Sequence, residues 1–143
     1  MKTRKIVILL LVLSAALSAL GYVFTNSVDF GLCVANEVVV EAVCINSYER
    51  VGDALLYGMG ALAIVFLFLV FIPRAWGAWK KFAIWFIPLA ALLFFFYQNP
   101  GSGNLISPYA ESVFKWVGGV YVLVSLVIIA AAASKKKPVI PAK

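Results

Sequence analysis

Residues 54–97 read ALLYGMGALAIVFLFLVFIPRAWGAWKKFAIWFIPLAALLFFFY. Two runs without charge, Ala54 to Pro73 and Phe82 to Tyr97, flank a short basic stretch ending in Lys80 and Lys81. A helix needs about 20 mainly apolar residues to cross roughly 30 Å of hydrocarbon. The runs lack the apolar and polar alternation of a transmembrane barrel strand, and in lipid a helix satisfies its own backbone hydrogen bonds. The stretch therefore predicts a helical hairpin with spans at about 54–73 and 82–97, joined by a turn at 74–81. The second run is short. It spans if Lys80 and Lys81 snorkel at one end and Gln98 sits at the other, with Trp85 and Tyr97 grading into the interfaces.

Working outward, the same pattern occurs twice more. Ile6 to Phe24 is free of charge, and so is Trp116 to Ser134, which sets a last span at about 113–134. The chain is 64% hydrophobic and 13% charged, with a mean hydropathy of +1.03, whereas soluble domains carry about 25% charged residues. The fold class predicted is an all-α membrane protein: a four-span transmembrane helical bundle forming a single membrane domain over 1–143. Loops are expected at 25–53 and 98–112, with a tail at 135–143. The basic start, the apolar run and the small residues at Ala16-Leu17-Ser18 or Ala19-Leu20-Gly21 also fit a cleaved signal peptide. The run is longer than the usual 7 to 15 apolar residues, which favours an anchor.

Charge orients the spans. Lys2, Arg4 and Lys5 precede the first, Arg74, Lys80 and Lys81 lie between the second and third, and Lys135, Lys136, Lys137 and Lys143 follow the fourth. No acid accompanies them, so the positive-inside rule predicts that both termini and the 74–81 turn are cytoplasmic. All six acids fall on the opposite side: Asp29, Glu37, Glu41, Glu49 and Asp53 in the first external loop, and Glu111 beside the last span. The net charge of +6 is thus a topology signal. Without a basic stripe interleaved with stacking aromatics, no nucleic acid is expected as a partner. The location expected is a cell membrane, crossed several times.

Most catalytic parts are missing. The chain has no His, which removes the commonest general base and metal ligand. It has no phosphate loop and no dinucleotide fingerprint. Glu37 and Glu41, four apart, read as a solvated helix face rather than a metal site. No ionisable residue interrupts the apolar runs, where a proton or ion pathway would need one. Asp53 and Lys115 sit at span ends within reach of an interface. No catalytic residue, cofactor site or metal site is expected.

Cys33 and Cys44 are the only cysteines, spaced Cys-x10-Cys in CVANEVVVEAVC. On the external side oxidising conditions favour a disulfide, which would close the first loop. Thiol exchange is better served by CxxC, whose spacing depresses one thiol's pKa. The architecture is similar to that of four-span thiol oxidoreductases of the bacterial DsbB type, but they carry two cysteine pairs, one of them CxxC. Gly31-Leu32-Cys33 with Cys44 resembles a fragment of the claudin first-loop signature, without its tryptophan or its loop length. Neither family is assigned.

Small residues at four-residue spacing let helix backbones approach closely. Ser14 with Ser18, Ala15 with Ala19, and Ala54 with Gly58 are the candidate packing pairs, and Pro88 is the candidate kink. Trp76, Trp79, Phe94 to Tyr97, Tyr109, Phe114, Trp116 and Tyr121 are expected in an interfacial aromatic belt. The function expected is that of a non-catalytic accessory or structural subunit of a larger membrane assembly. Its partners would be the lipid bilayer and other membrane subunits or further copies of the chain. An oligomeric channel or small-solute carrier, using Pro88, Gly118 and Gly119 with Ser14, Ser18, Tyr57 and Ser125, is the alternative. A redox protein using Cys33 and Cys44 is the third reading.

Overall fold

The computed structural model describes residues 2–33, 38–96 and 110–134. Among these residues there are four helices: α1 (Lys2–Thr25), α2 (Val38–Phe71), α3 (Trp76–Phe96) and α4 (Ala110–Ser134). Each contains a stretch long and apolar enough to cross a membrane. A single 3-10 turn, Pro73–Ala75, separates α2 from α3. The sequence explains that break. A residue preceding proline is pushed out of the helical region, and Ile72 accordingly has φ −122° and ψ 68°. Pro73 then opens the new turn, where a missing N–H costs nothing. The Ala75 amide donates to the Ile72 carbonyl at 3.1 Å, closing the corner.

The helices outrun the apolar stretches that predict them. Residues 38–53, expected as loop, form the first turns of α2, because VVVEAVCINSYERV holds neither Gly nor Pro to stop a helix. Lys80 and Lys81, expected in a turn, belong to α3, which has 21 residues. Pro88 lies inside that helix, where it removes the donor that would serve the carbonyl of Ile84.

α1 packs on α2, α2 on α4, and α4 on α3. The last helix in the chain thus lies between its two predecessors. One apolar core joins the start of α1 (Val7), the end of α2 (Leu69), the start of α3 (Trp79) and the end of α4 (Ile129). At the other end Phe24 meets Tyr48, and Phe94 meets Phe114. Successive helices therefore run in alternating directions. Arg4, Lys5, Arg74, Lys80 and Lys81 collect at one end of the bundle, and Asp29, Glu49, Asp53 and Glu111 at the other.

The aromatic belt needs correction. Trp79, Phe114 and Tyr121 are buried. Tyr121 stacks on Phe82 and Phe86, and Trp79 packs edge-on against Phe66. These rings pack against side chains of neighbouring helices, Phe114 on Phe94 among them. Trp85 and Trp116 do face outward, 82% and 76% exposed.

The tightest crossing is between α1 and α2. A methyl on Gly21 would overlap the Leu56 amide nitrogen and lie 2.8 Å from the Gly52 carbonyl oxygen, and one on Gly52 would lie 2.8 Å from the Thr25 nitrogen. Only glycine on both helices permits that approach. Beside it, the Ser18 hydroxyl donates to the Leu56 carbonyl at 3.2 Å. Gly21→Leu is expected to push the helices apart and destabilise the protein by about 2 kcal/mol or more, the scale of overpacking a rigid interior. Ala15→Leu, on the exposed side of α1, should change little. Thermal unfolding in detergent, followed by helical circular dichroism, checks the pair.

Candidate functional site: the disulfide-capped end

Beyond the Gly21–Gly52 crossing the chain builds a cap. α1 ends where Thr25 and Asn26 turn their side chains back on the Tyr22 carbonyl, at 3.0 and 2.9 Å. Such local bonds compete with helix continuation. Residues 26–33 then fold into a compact turn: the Ser27 carbonyl accepts from the amides of Leu32 and Cys33, at 2.8 and 3.3 Å, and the Val28 carbonyl from Gly31. Gly31 has φ +69°, a conformation costly for other residues. The turn delivers Cys33 to α2, where it forms a disulfide with Cys44 across a Cα–Cα distance of 5.9 Å. The ring of Phe24 packs edge-on against Tyr48 on the adjoining stretch of α2.

Thiol exchange requires a thiolate to reach a sulfur; Cys33 is only 4% exposed, while Cys44 is partly exposed. Glu37 lies outside the described residues, and Glu41 belongs to α2. Among the described residues no three His, Cys, Asp or Glu side chains cluster as metal ligands.

A polar cluster sits at the same end, between α2 and α4. The Tyr57 hydroxyl donates to Glu111 Oε1 at 3.1 Å, and Lys115 Nζ meets the same oxygen at 2.6 Å. Lys115 Nζ also stands 5.4 Å from the centre of the Tyr57 ring, within cation–π range. Asp53 and Glu49 add negative charge nearby. Lys115 therefore pairs with Glu111, one turn away on its own helix, and Tyr57 ties that pair to α2.

The sequence-predicted residues are distributed over several seams. Ser14 is buried, its hydroxyl returned to the Leu11 carbonyl at 3.0 Å, while Ser18 bonds α2. Ala15 and Ala19 are exposed. Ala54 and Gly58 face α3 instead of α1: both line a small apolar cavity of about 140 Å³ shared by α2, α3 and α4, and a methyl on Gly58 would lie 3.1 Å from the Phe94 ring. Ser125 is buried beside Trp79 and Tyr121, and the polar atoms of the three side chains neighbour one another between α3 and α4. Ser18 and Tyr57 thus line one groove with Gly118 and Gly119, while Ser14 and Ser125 fall in other contacts.

Gly21 and Gly52 are not among the packing pairs expected from the sequence. Their signal is nonetheless present there, since Gly21 extends the Ser14–Ser18 face by one turn and Gly52, Leu56 and Gly60 recur every fourth residue. The Tyr57–Glu111–Lys115 cluster has only the local Glu111–Lys115 spacing to announce it, because its third member comes from a distant helix.

No protein-family model, curated protein or solved structure matches the chain.

Replacing both Cys33 and Cys44 with Ser, or reducing the disulfide, is expected to lower stability by about 3 kcal/mol, the chain-entropy value for a loop of this size. Helical content should survive. In hydrogen exchange, amides of α2 near Cys44 should lose protection while those near Val65 keep it.

Proposed function

We propose that the protein is a multi-pass membrane protein and a non-catalytic structural subunit of a larger membrane assembly. It holds a rigid helical post outside the membrane for a partner subunit. The observation that carries this reading is the outer part of α2. The helix has 34 residues, about 51 Å at 1.5 Å per residue, well beyond the roughly 30 Å of hydrocarbon. Glu49, Arg50 and Asp53 put the excess at the capped end. There the disulfide, the Phe24–Tyr48 contact and the Gly21–Gly52 crossing brace it.

In this reading the basic end is cytoplasmic, by the positive-inside rule, and the capped acidic end is extracytoplasmic, where a disulfide persists. The braced post has an uncovered stripe. Val43, Ser47, Arg50 and Val51, at i, i+4, i+7 and i+8, are all exposed and share one helix face. The partner that fits is an extracytoplasmic segment of another membrane subunit with an apolar contact face and a carboxylate set against Arg50. The place of the disulfide inside the cap, with Cys33 buried, supports the structural role.

Two measurements test this. Cysteines introduced at Ser47 and Ser134 in intact cells should react with an impermeant maleimide only at position 47. Reaction at 134 alone would invert the topology. Val43→Asp with Val51→Asp is expected to abolish co-purification of the partner from native membranes while leaving thermal unfolding unchanged. Retained co-purification would remove the post from the interface, and recovery of a second, differently tagged copy would make the assembly homomeric.

A further inference from the structure

A groove of about 720 Å³ runs between α1 and α4, floored by α2. Ser18 forms one wall, Gly60 and Ile64 the floor, and Gly119, Val122 and Leu123 the other wall. Nothing lies within 4 Å of a methyl built on Gly119, so that wall stays flat. The groove extends along α4 from Lys115 to Leu123, about 12 Å at 1.5 Å per residue. One leaflet contributes half of a roughly 30 Å hydrocarbon core, about 15 Å. The groove thus covers most of one leaflet's depth.

Its mouth carries both signs of charge. Lys115 and Glu111 are 53% and 51% exposed. Their mutual contact uses one of the three donors of the ammonium. The second oxygen of the carboxylate stays open to other donors. Asp53, one turn before Tyr57 on α2, sets a further carboxyl group near the pair, which disfavours a headgroup carrying only an anion. A headgroup with a phosphate and a primary ammonium meets the opposite charge at each point: phosphate on Lys115 Nζ, ammonium on Glu111.

We propose that this groove is a binding site for one phospholipid with a phosphoethanolamine headgroup. Its acyl chain lies along Gly60 and Gly119, and its headgroup is read by Glu111 and Lys115. The site rests on the membrane reading and on the extracytoplasmic placement of the mouth, not on the partner contact at α2. A phosphocholine headgroup, lacking N–H donors, fits Glu111 less well.

Native mass spectrometry of the purified full chain, with equal amounts of phosphatidylethanolamine, phosphatidylcholine and phosphatidylglycerol, tests the proposal. One phosphatidylethanolamine is expected to survive activation that strips the other two. Equal retention of all three, or preference for phosphatidylglycerol, overturns the site. Gly119→Leu should fill the groove and sharply reduce retention without lowering helical content. Lys115→Met with Glu111→Gln should erase the headgroup ranking while leaving residual lipid. If Gly119→Leu folds and retains lipid as the wild type does, the lipid lies elsewhere. Should either variant lose helical content, the wild-type ranking alone decides. Val43→Asp with Val51→Asp should leave that ranking intact, which separates this site from the partner interface.

Discussion

The contact between the backbones of α1 and α2 at Gly21 and Gly52 sets the geometry of everything at the capped end. Without side chains there, the two helices come together closely enough for Ser18 to reach the Leu56 carbonyl. That approach brings the end of α1 beside α2, so the compact turn after Asn26 can return Cys33 to within one disulfide of Cys44. The covalent bond then secures a geometry that glycine made possible. Dispersion between close backbones is strong per unit length because many atom pairs meet at once, and in lipid, which offers little hydrophobic drive between helices, packing of this kind carries association.

The remaining helices are held differently. α4 approaches α2 through Gly118, where a methyl would lie 3.4 Å from the Tyr57 carbonyl oxygen. α3 meets α2 mainly through large rings, Trp79 on Phe66 and Phe94 against Gly58. Wider separation leaves room for the small cavity beside Ala54 and Gly58. The protein thus has a tight half, α1 with α2, and a half spaced by aromatics. The buried Tyr121, Ser125 and Trp79 lie in the second half, where their polar atoms neighbour one another away from solvent.

The number and type of the helices were legible because apolar runs of about 20 residues leave few alternatives, whereas the turn expected at 74–81 proves to be a tighter corner at Pro73, because proline constrains its neighbour. The Cys33–Cys44 bond followed from there being just two cysteines. Helix limits were less visible: α2 already includes residues 38–53, where no Gly or Pro before Gly52 interrupts it, so hydropathy marks only the apolar part. Packing partners were the least visible. Small-residue spacing identified Ser14 and Ser18 but not which face α2 would present. Ala54 and Gly58 stand four apart on the same helix as Gly52 and Gly60, which stand eight apart, and point to a different neighbour. Tyr57, Glu111 and Lys115 meet only because α4 packs on α2, a relation that no local pattern encodes. Burial of Trp79, Phe114 and Tyr121 was hidden for a related reason: a ring near a helix end suits an interface and an inter-helix gap equally well.

The position of α4 between α2 and α3 has a consequence in time. A chain made from its amino end completes α1 and α2 first, and these two possess their glycine crossing and their disulfide without any help from α3 or α4. α3 emerges next, joined to α2 by a single tight turn, yet its principal packing surface does not exist until α4 has been made. The third helix is a lodger until the fourth arrives to wedge it in place. Its exposed aromatic side chains and proline-interrupted backbone therefore lack that packing surface until residues 110–134 have been made.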